Sequence, residues 1–533
     1  MHMDVQPNSA PRGLALSLMM WVALTACTHP DSGNESDATT AVKPPPTPIQ
    51  PERVAPPPVL RELPREPVAV APQTIDALTV PPRAAREIKA LLTAERDEPL
   101  VVVHYGDSHT RAAVIADTLR DRVARGGVVS PGYVQPGHPM RWNASVDKDG
   151  PWNRHNWLYG RDTPSFGPMG LAYSVTKRKL RRERARMTLQ LQRDRPQSGI
   201  QVTAYYLLEN GHLPFKLTSG RQTLAQIAPP KAHLDAPELG EVTVELPPGA
   251  GRLELEVSDC RACGSSAELR FFGFQVHYPN ARVTWDALGI GGTTIRSPVH
   301  RSDGTMDTYL RRRDADLVVT WFGSNSSVEK GLNLSTYRDN FDALLKRLRS
   351  NSPRAACLVL GPPDLDRRPR SDCFLTRDER RIDSKDRKSR SDRSALRRNR
   401  GARACNPDKL IRRRGGRVEY PATGVHNRRQ WEAYVASCRH RTIPNIPALA
   451  KLQHEVAVAN GCAYFNVYEY MGGRQSILRW ACSEDPQLAS TDLVHLTPDG
   501  YRKVGNAVAD ALMTLTAPAA NPLEPPAYSS PSP

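Results

Sequence analysis

A short apolar run, Leu100-Val101-Val102-Val103, leads through His104-Tyr105-Gly106-Asp107 into Ser108, and beyond it Ile115, Leu119 and Val123 recur four residues apart. An apolar run with no polar alternation, followed at once by a helical repeat, is the pattern of a buried parallel strand, because parallel sheets are covered by helices on both faces. Gly126-Gly127 can stop that helix, since glycine takes a left-handed conformation at little cost. The same order returns at Leu317-Val318-Val319-Thr320-Trp321-Phe322, which ends in Gly323-Ser324-Asn325 before a helical pattern starting near Leu334. The chain therefore predicts an α/β domain with a parallel sheet. A serine between a strand end and a helix start stands where nucleophiles stand in α/β enzymes, near positive backbone dipoles. Gly-Asp-Ser alone would fit a simple helix cap equally well.

Two further segments give it company. Leu288-Gly289-Ile290-Gly291-Gly292-Thr293-Thr294 is a glycine turn behind the apolar stretch at Val283-Thr284-Trp285. Near the C-terminus stands Asp492-Leu493-Val494-His495, followed by a helical pattern from Val504 to Leu512. Asp and His three apart can set the carboxylate against one imidazole nitrogen and leave the other facing a serine. Taken in order, Gly106-Asp107-Ser108, Gly292, Gly323-x-Asn325 and Asp492-x-x-His495 resemble the four blocks of the GDSL/SGNH hydrolase superfamily. The resemblance implies a three-layer α/β/α domain with Ser108 as nucleophile, His495 as general base and Asp492 as its orienting carboxylate. It assigns the oxyanion hole to the backbone N–H groups of Ser108 and Gly292 and the side-chain amide of Asn325. The residue types suit those roles. A serine hydroxyl needs an adjacent base, and histidine is the side chain of the set poised near neutral pH. Glycine allows close approach, and an asparagine amide donates at any pH. Asp107 reads as a local hydrogen-bonding group. No cofactor and no metal is called for: His104, His109, His138 and His155 match no standard metal spacing, and His109 reads as a supporting group beside the nucleophile.

The gap from Ser108 to Gly292 is long for neighbouring strands. Within 166–280 the pattern changes to alternating runs at Met187–Leu191, Ile200–Leu207, Val242–Leu246, Leu253–Val257 and Leu269–Val276, which predict an inserted β-sandwich. A hydrolase split into 97–165 and 281–515 by a carbohydrate-module-like sandwich resembles the bacterial peptidoglycan O-acetylesterases. Gly126-Gly127, Pro131-Gly132-Tyr133, Met471-Gly472-Gly473, Trp480 and Gly500-Tyr501-Arg502 look similar to that group as well. The likeness implies an O-acetylated polysaccharide, peptidoglycan first, as partner and substrate; xylan esters, an acetyltransferase with the same triad, and a non-catalytic polysaccharide-binding lipoprotein are the alternatives. The last predicts a damaged triad, and Ser108, Asp492 and His495 are all present. Trp142, Trp152 and Trp157 are candidates for stacking on sugar rings or for anchoring loops.

The N-terminus bears on location. Leu14–Leu24, with Arg12 before it, is too short for the roughly 20 residues of a membrane span and suits a secretory signal. Leu24-Thr25-Ala26-Cys27 resembles a lipobox, which makes 1–27 a lipoprotein signal peptide and Cys27 the lipidated residue. The expected location is the bacterial cell envelope, with membrane attachment through the lipid and the outer membrane favoured. Residues 28–82 read as a Pro-rich disordered tether and 516–533 as a disordered tail. Export suits the eight remaining cysteines to disulfides. Cys260 and Cys263 can pair locally; Cys357, Cys373, Cys405, Cys438, Cys462 and Cys482 leave many connectivities open. Lys+Arg total 73 against 56 Asp+Glu, a net +17. Of that excess +13 lies between Arg367 and Arg417, with 20 basic and 7 acidic residues, inside a basic insertion at about 364–447. So local an excess, with few interleaved aromatics, argues against nucleic acid as a partner and for a solvated face or attraction to an anionic polymer.

Overall fold

The computed structural model describes residues 73–516 apart from 76, 138–143, 157–166, 181–183, 193, 302–303, 368–404, 406–410, 415–416, 421–424, 439–440 and 483. The signal segment with Cys27, Trp142, Trp157, His138 and Cys373 lie outside the described residues, as does the side chain of His155. Among the described residues no helix is long and apolar enough to cross a membrane.

The central sheet runs, edge to edge, through Gln73–Ile75, Leu78–Val80, Ala463–Phe465, Ala356–Leu360, Leu317–Trp321, Leu100–Gly106, Val283–Gly289 and Val129–Ser130. The last six are parallel to one another, and the first two form a hairpin added antiparallel at one edge. Successive strand residues point to opposite faces, so Val102, Val319 and Leu358 join one apolar cluster while Val103, Val318 and Val359 join another. On the first face lie the helices Pro82–Thr93, Val114–Ala124 and Pro498–Thr514, supplying Ile88, Ile115, Leu119, Val504 and Val508. On the second lie Thr305–Arg313, Leu334–Asn351 and Asn445–Ala459, supplying Leu310, Phe341, Leu345, Leu449 and Val456. Parallel strands need such crossovers, and the outcome is the expected α/β/α layering. Local chemistry sets the ends: Arg125 and Gly126 turn left-handed after Val114–Ala124, and Thr497 accepts the Gly500 N–H ahead of Pro498, whose fixed φ suits a first helical turn.

Register places the turns. Gly106 lies opposite Gly289 on one side and Trp321 on the other, so three strands finish level at the carboxyl edge. The Ile290 N–H donates to the Gly106 carbonyl at 3.1 Å, and the Asp107 N–H to the Trp321 carbonyl at 3.2 Å.

Between the helix Val114–Ala124 and the strand Val283–Gly289 the chain builds two antiparallel sheets. One runs Glu238–Glu245, Gln201–Leu208, Glu268–His277, Leu171–Thr176, Asn153–Asn156, with Gly132–Val134 also on Glu268–His277. The other runs Gln222–Ile227, Phe215–Ser219, Arg252–Val257, Arg186–Leu191, Ala144–Asp149. Val202, Ala204 and Leu269 of the first share an apolar cluster with Leu189, Leu217 and Leu255 of the second.

Three expectations need correction. The tether does not extend to residue 82: Leu78 and Val80 alternate inward and are fully buried on the sheet edge, and the helix Pro82–Thr93 follows. Nor do the antiparallel sheets begin at 166, since Gly132–Val134, Ala144–Asp149 and Asn153–Asn156 already belong to them. The basic insertion is not only a solvated face, because Trp431 is fully buried within it and Cys405 is bonded to Cys482. Cys260–Cys263 pairs as expected, and Cys357–Cys462 links two neighbouring parallel strands at their amino ends.

Candidate active site

Ser108 opens a single helical turn, Ser108–Arg111, directly beyond the strand Leu100–Gly106. Asp107 caps that turn by accepting the His109 N–H at 2.9 Å. The chain doubles back so tightly that a Cβ at Gly106 would stand 1.9 Å from Thr110 Oγ1 and 2.7 Å from the Trp321 carbonyl oxygen, so glycine alone fits.

His495 reaches this turn from the loop ahead of the helix Pro498–Thr514. Its Nε2 lies 2.9 Å from Ser108 Oγ, and its Nδ1 lies 2.7 Å from Asp492 Oδ2. A carboxylate on Nδ1 requires the proton there, which leaves the Nε2 lone pair to accept from the serine hydroxyl. Asp492 Oδ1 accepts the Val494 and His495 N–H groups, each at 3.0 Å. Leu493 adopts φ 57, and the Ser490 N–H closes the loop on the His495 carbonyl at 2.8 Å. Burial by itself would raise the Asp492 carboxyl, but the hydrogen bonds from His495 and the loop backbone outweigh it and hold the group below its ordinary value. The His495 side chain is 40% exposed, so the pair opens to solvent on the side where a substrate would enter.

The glycine turn lies alongside. A Cβ at Gly291 would be 3.8 Å from Ser108 Cβ, whereas one at Gly292, where φ is +84, would meet open space. Asn325 Nδ2 donates to the Thr293 carbonyl at 2.9 Å and makes a longer contact, 3.4 Å, with Asp107 Oδ2. Asn325 thus ties the Gly292 turn to the Ser108 turn. The structure brings all five site residues expected from the sequence, Ser108, Gly292, Asn325, Asp492 and His495, to the ends of adjacent strands and one loop.

Beneath them the polar groups are fully buried. Desolvation pushes the Asp107 carboxyl up to about 7, against the opposing His109 N–H, and pulls the His104 and His109 imidazoles down to about 3. His109 Nδ1 lies 3.0 Å from the Tyr501 hydroxyl, and its ring sits 5.1 Å from Trp321 and 5.5 Å from His495. It is a neutral wedge that backs the base. Trp152 is buried and cannot offer a ring to a sugar; it packs in the core instead. Arg111, which the sequence reading did not single out, borders the same glycine turn: a Cβ at Gly291 would stand 3.4 Å from its Nη1. It lies three positions after Ser108, a helical spacing that puts two side chains on one face and could have flagged it.

No protein-family model and no curated protein matches the sequence. The structure aligns with a peptidoglycan O-acetylesterase at a TM-score of 0.51 and 17% identity, over 81% of this chain and 95% of that one. A GDSL-like lipase from Bacteroides thetaiotaomicron aligns over 43% of this chain and 76% of its own, at 13% identity and a TM-score of 0.23. A putative GDSL-like lipase from Parabacteroides merdae aligns over 44% and 72%, at 12% and 0.20. The chain has a GDSL/SGNH hydrolase-like fold.

Proposed function

We propose that the protein is a serine esterase that removes O-acetyl groups from a polysaccharide, with peptidoglycan as the polymer. The observation that carries this reading is the unbroken hydrogen-bonded chain Ser108–His495–Asp492 at the carboxyl edge of the sheet. In the reaction, His495 Nε2 takes the Ser108 proton as Oγ adds to the acetyl carbonyl. The tetrahedral oxyanion draws on the Ser108 and Gly292 N–H groups and on the Asn325 amide, whose long contact to Asp107 is the one it can exchange for a substrate oxygen. Collapse breaks the bond to the sugar oxygen, which leaves with the proton held by His495. Water, deprotonated by His495, then cleaves the acetyl-serine and releases acetate. Asp492 holds the tautomer and stabilises the imidazolium.

The polymer is argued from fold. The overlap with a peptidoglycan O-acetylesterase extends over 81% of this chain, more than the parallel-sheet residues alone could supply. On the same reading the two antiparallel sheets are an inserted carbohydrate-module-like β-sandwich, and Cys27 anchors the chain in the cell envelope. Acetate release from O-acetylated peptidoglycan and from acetylated xylan, by the wild-type protein and by Ser108→Ala, tests the proposal. Serine-dependent release from peptidoglycan is the expected result. Acetyl transfer to an added chitooligosaccharide would make the protein a transferase, and no turnover on any ester would leave a binding protein.

A further inference from the structure

The two residues between Asp492 and His495 are gripped from outside their loop. Leu493 adopts φ 57, a left-handed conformation that a leucine keeps only where its surroundings hold it. Its carbonyl accepts the Asp366 N–H at 3.2 Å, and the residue is buried in the apolar cluster that contains Val102 and Leu358 of the central sheet. Val494 joins a different cluster, where it packs against Leu365, Ile443, Ile446, Ala450 and Tyr468. Leu365, Asp366 and Ile443 form the neck of the basic insertion. The strands Asp366–Arg367 and Arg441–Thr442 pair antiparallel across that neck, and the Ile443 N–H donates to the Leu365 carbonyl at 2.9 Å.

A second grip reaches the loop from its other side. Cys405 of the insertion is bonded to Cys482, the last residue of the helix Ser476–Cys482. In that helix the Trp480 carbonyl accepts the Leu488 and Ala489 N–H groups at 2.9 and 3.1 Å. Ala489 in turn forms an antiparallel bridge with Leu496, the residue after His495. The insertion is thus tied to the chain on both flanks of the base. The 2.9 Å contact from His495 Nε2 to Ser108 Oγ spans from this loop to a turn fixed between strands, so its length depends on where the loop is held.

We propose that the basic insertion is a positioning element for His495: its neck, at Asp366 and Ile443, and its Cys405–Cys482 bond aim the imidazole at Ser108. The role of His495 as base rests on the esterase reading, whereas the grip on the loop is measurable without it. Asp366, Ile443 and the two cysteines are positioning residues that act through the histidine. Loss of either grip lowers the fraction of molecules with the base in line, not the affinity for substrate.

Two changes in the full chain loosen the grips separately: Cys405→Ser with Cys482→Ser, and Ile443→Ala, with Ile443→Leu as its conservative partner. Hydrolysis of p-nitrophenyl acetate separates aiming from binding, because this small ester offers the insertion no polymer to hold. In both loosened variants kcat is expected to fall about tenfold, with KM within about twofold of wild type. Ile443→Leu should restore most of the loss. Amide exchange at Val494 and His495, whose N–H groups bind Asp492 Oδ1, should quicken while the strand Leu100–Gly106 stays protected. Cys357→Ser with Cys462→Ser opens a bond at the amino ends of the strands and controls for a general loss of stability. Unchanged kcat in the folded variants, unchanged exchange at Val494 and His495, or an equal fall in kcat in the control would overturn the proposal. Quickened exchange in the variants of a protein that hydrolyses no ester, even as wild type, would refute the esterase reading and keep the anchoring of His495.

Discussion

Ser108 and His495 meet across one hydrogen bond but are held in opposite ways. The serine stands on a turn locked between two parallel strands, with Asp107, His104 and His109 fully buried beneath it. The histidine stands on a short loop whose shape comes from the Asp492 carboxylate, three backbone hydrogen bonds and one residue at positive φ. A nucleophile needs fixed aim, and depth in a sheet provides it. A base that must shuttle a proton between serine, leaving group and water is better placed on a solvent-facing loop that keeps only its tautomer fixed.

Substitutions can break that contrast. Ser108→Ala should abolish serine-dependent acetate release, a fall on the order of 10⁵- to 10⁶-fold in kcat, with the fold intact by circular dichroism. Asp492→Asn should cost about 10⁴-fold, because an amide in place of the carboxylate no longer demands a proton on Nδ1. It should also loosen the loop, which amide hydrogen exchange at Val494 and His495 would register while the strand Leu100–Gly106 stays protected. Asn325→Ala removes one oxyanion donor and the tie to Thr293, and about 10²- to 10³-fold is expected in kcat with little change in KM.

Acid titration sharpens the same contrast. In the unfolded chain His104 and His109 take up protons near 6.5, but in the folded protein only near 3, so acid favours unfolding across that interval. Asp107 acts oppositely, since its folded value near 7 lies above the 3.8 of the unfolded carboxyl. Asp117 and Asp364, each raised to about 6 by burial, oppose the histidines in the same way. Asp107→Asn removes one opposing term, so the variant should lose stability relative to the wild type as pH drops from about 7 to about 4, as read from urea midpoints at several pH values. The smallest effect on catalysis is expected from Cys357→Ser with Cys462→Ser. Opening that bond should lower unfolding stability by roughly 2–4 kcal/mol while leaving kcat within about twofold at 25 °C.

The same division governs what could be read from the sequence. Leu100–Val103 and Leu317–Phe322 announce buried strands because every residue but Thr320 is apolar, and the four blocks fall at turn positions that strand ends dictate. Asp492 and His495 were legible because their contact is local, three residues apart. The hairpin Gln73–Val80 was not: eight residues between prolines look like tether until Leu78 and Val80 find the edge strand Ala463–Phe465, nearly 400 residues away. Gln222–Ile227 was missed because it is an edge strand with no fully buried residue and so little apolar alternation. Arg111 escaped notice because an arginine soon after a serine looks like a solvated charge, whereas its Nε is buried. Trp152 went the other way, since only the packed structure distinguishes a core indole from a sugar platform.

The most direct test of the central claim is the rate at which a fluorophosphonate labels Ser108, followed by mass spectrometry of the peptide that contains it. If His495 and Asp492 activate this serine, the wild-type protein should label there, Asp492→Asn should label far more slowly, and His495→Ala and Ser108→Ala not at all. Labelling of Ser108 at the same rate in all the proteins that retain the serine, or at another residue altogether, would contradict it.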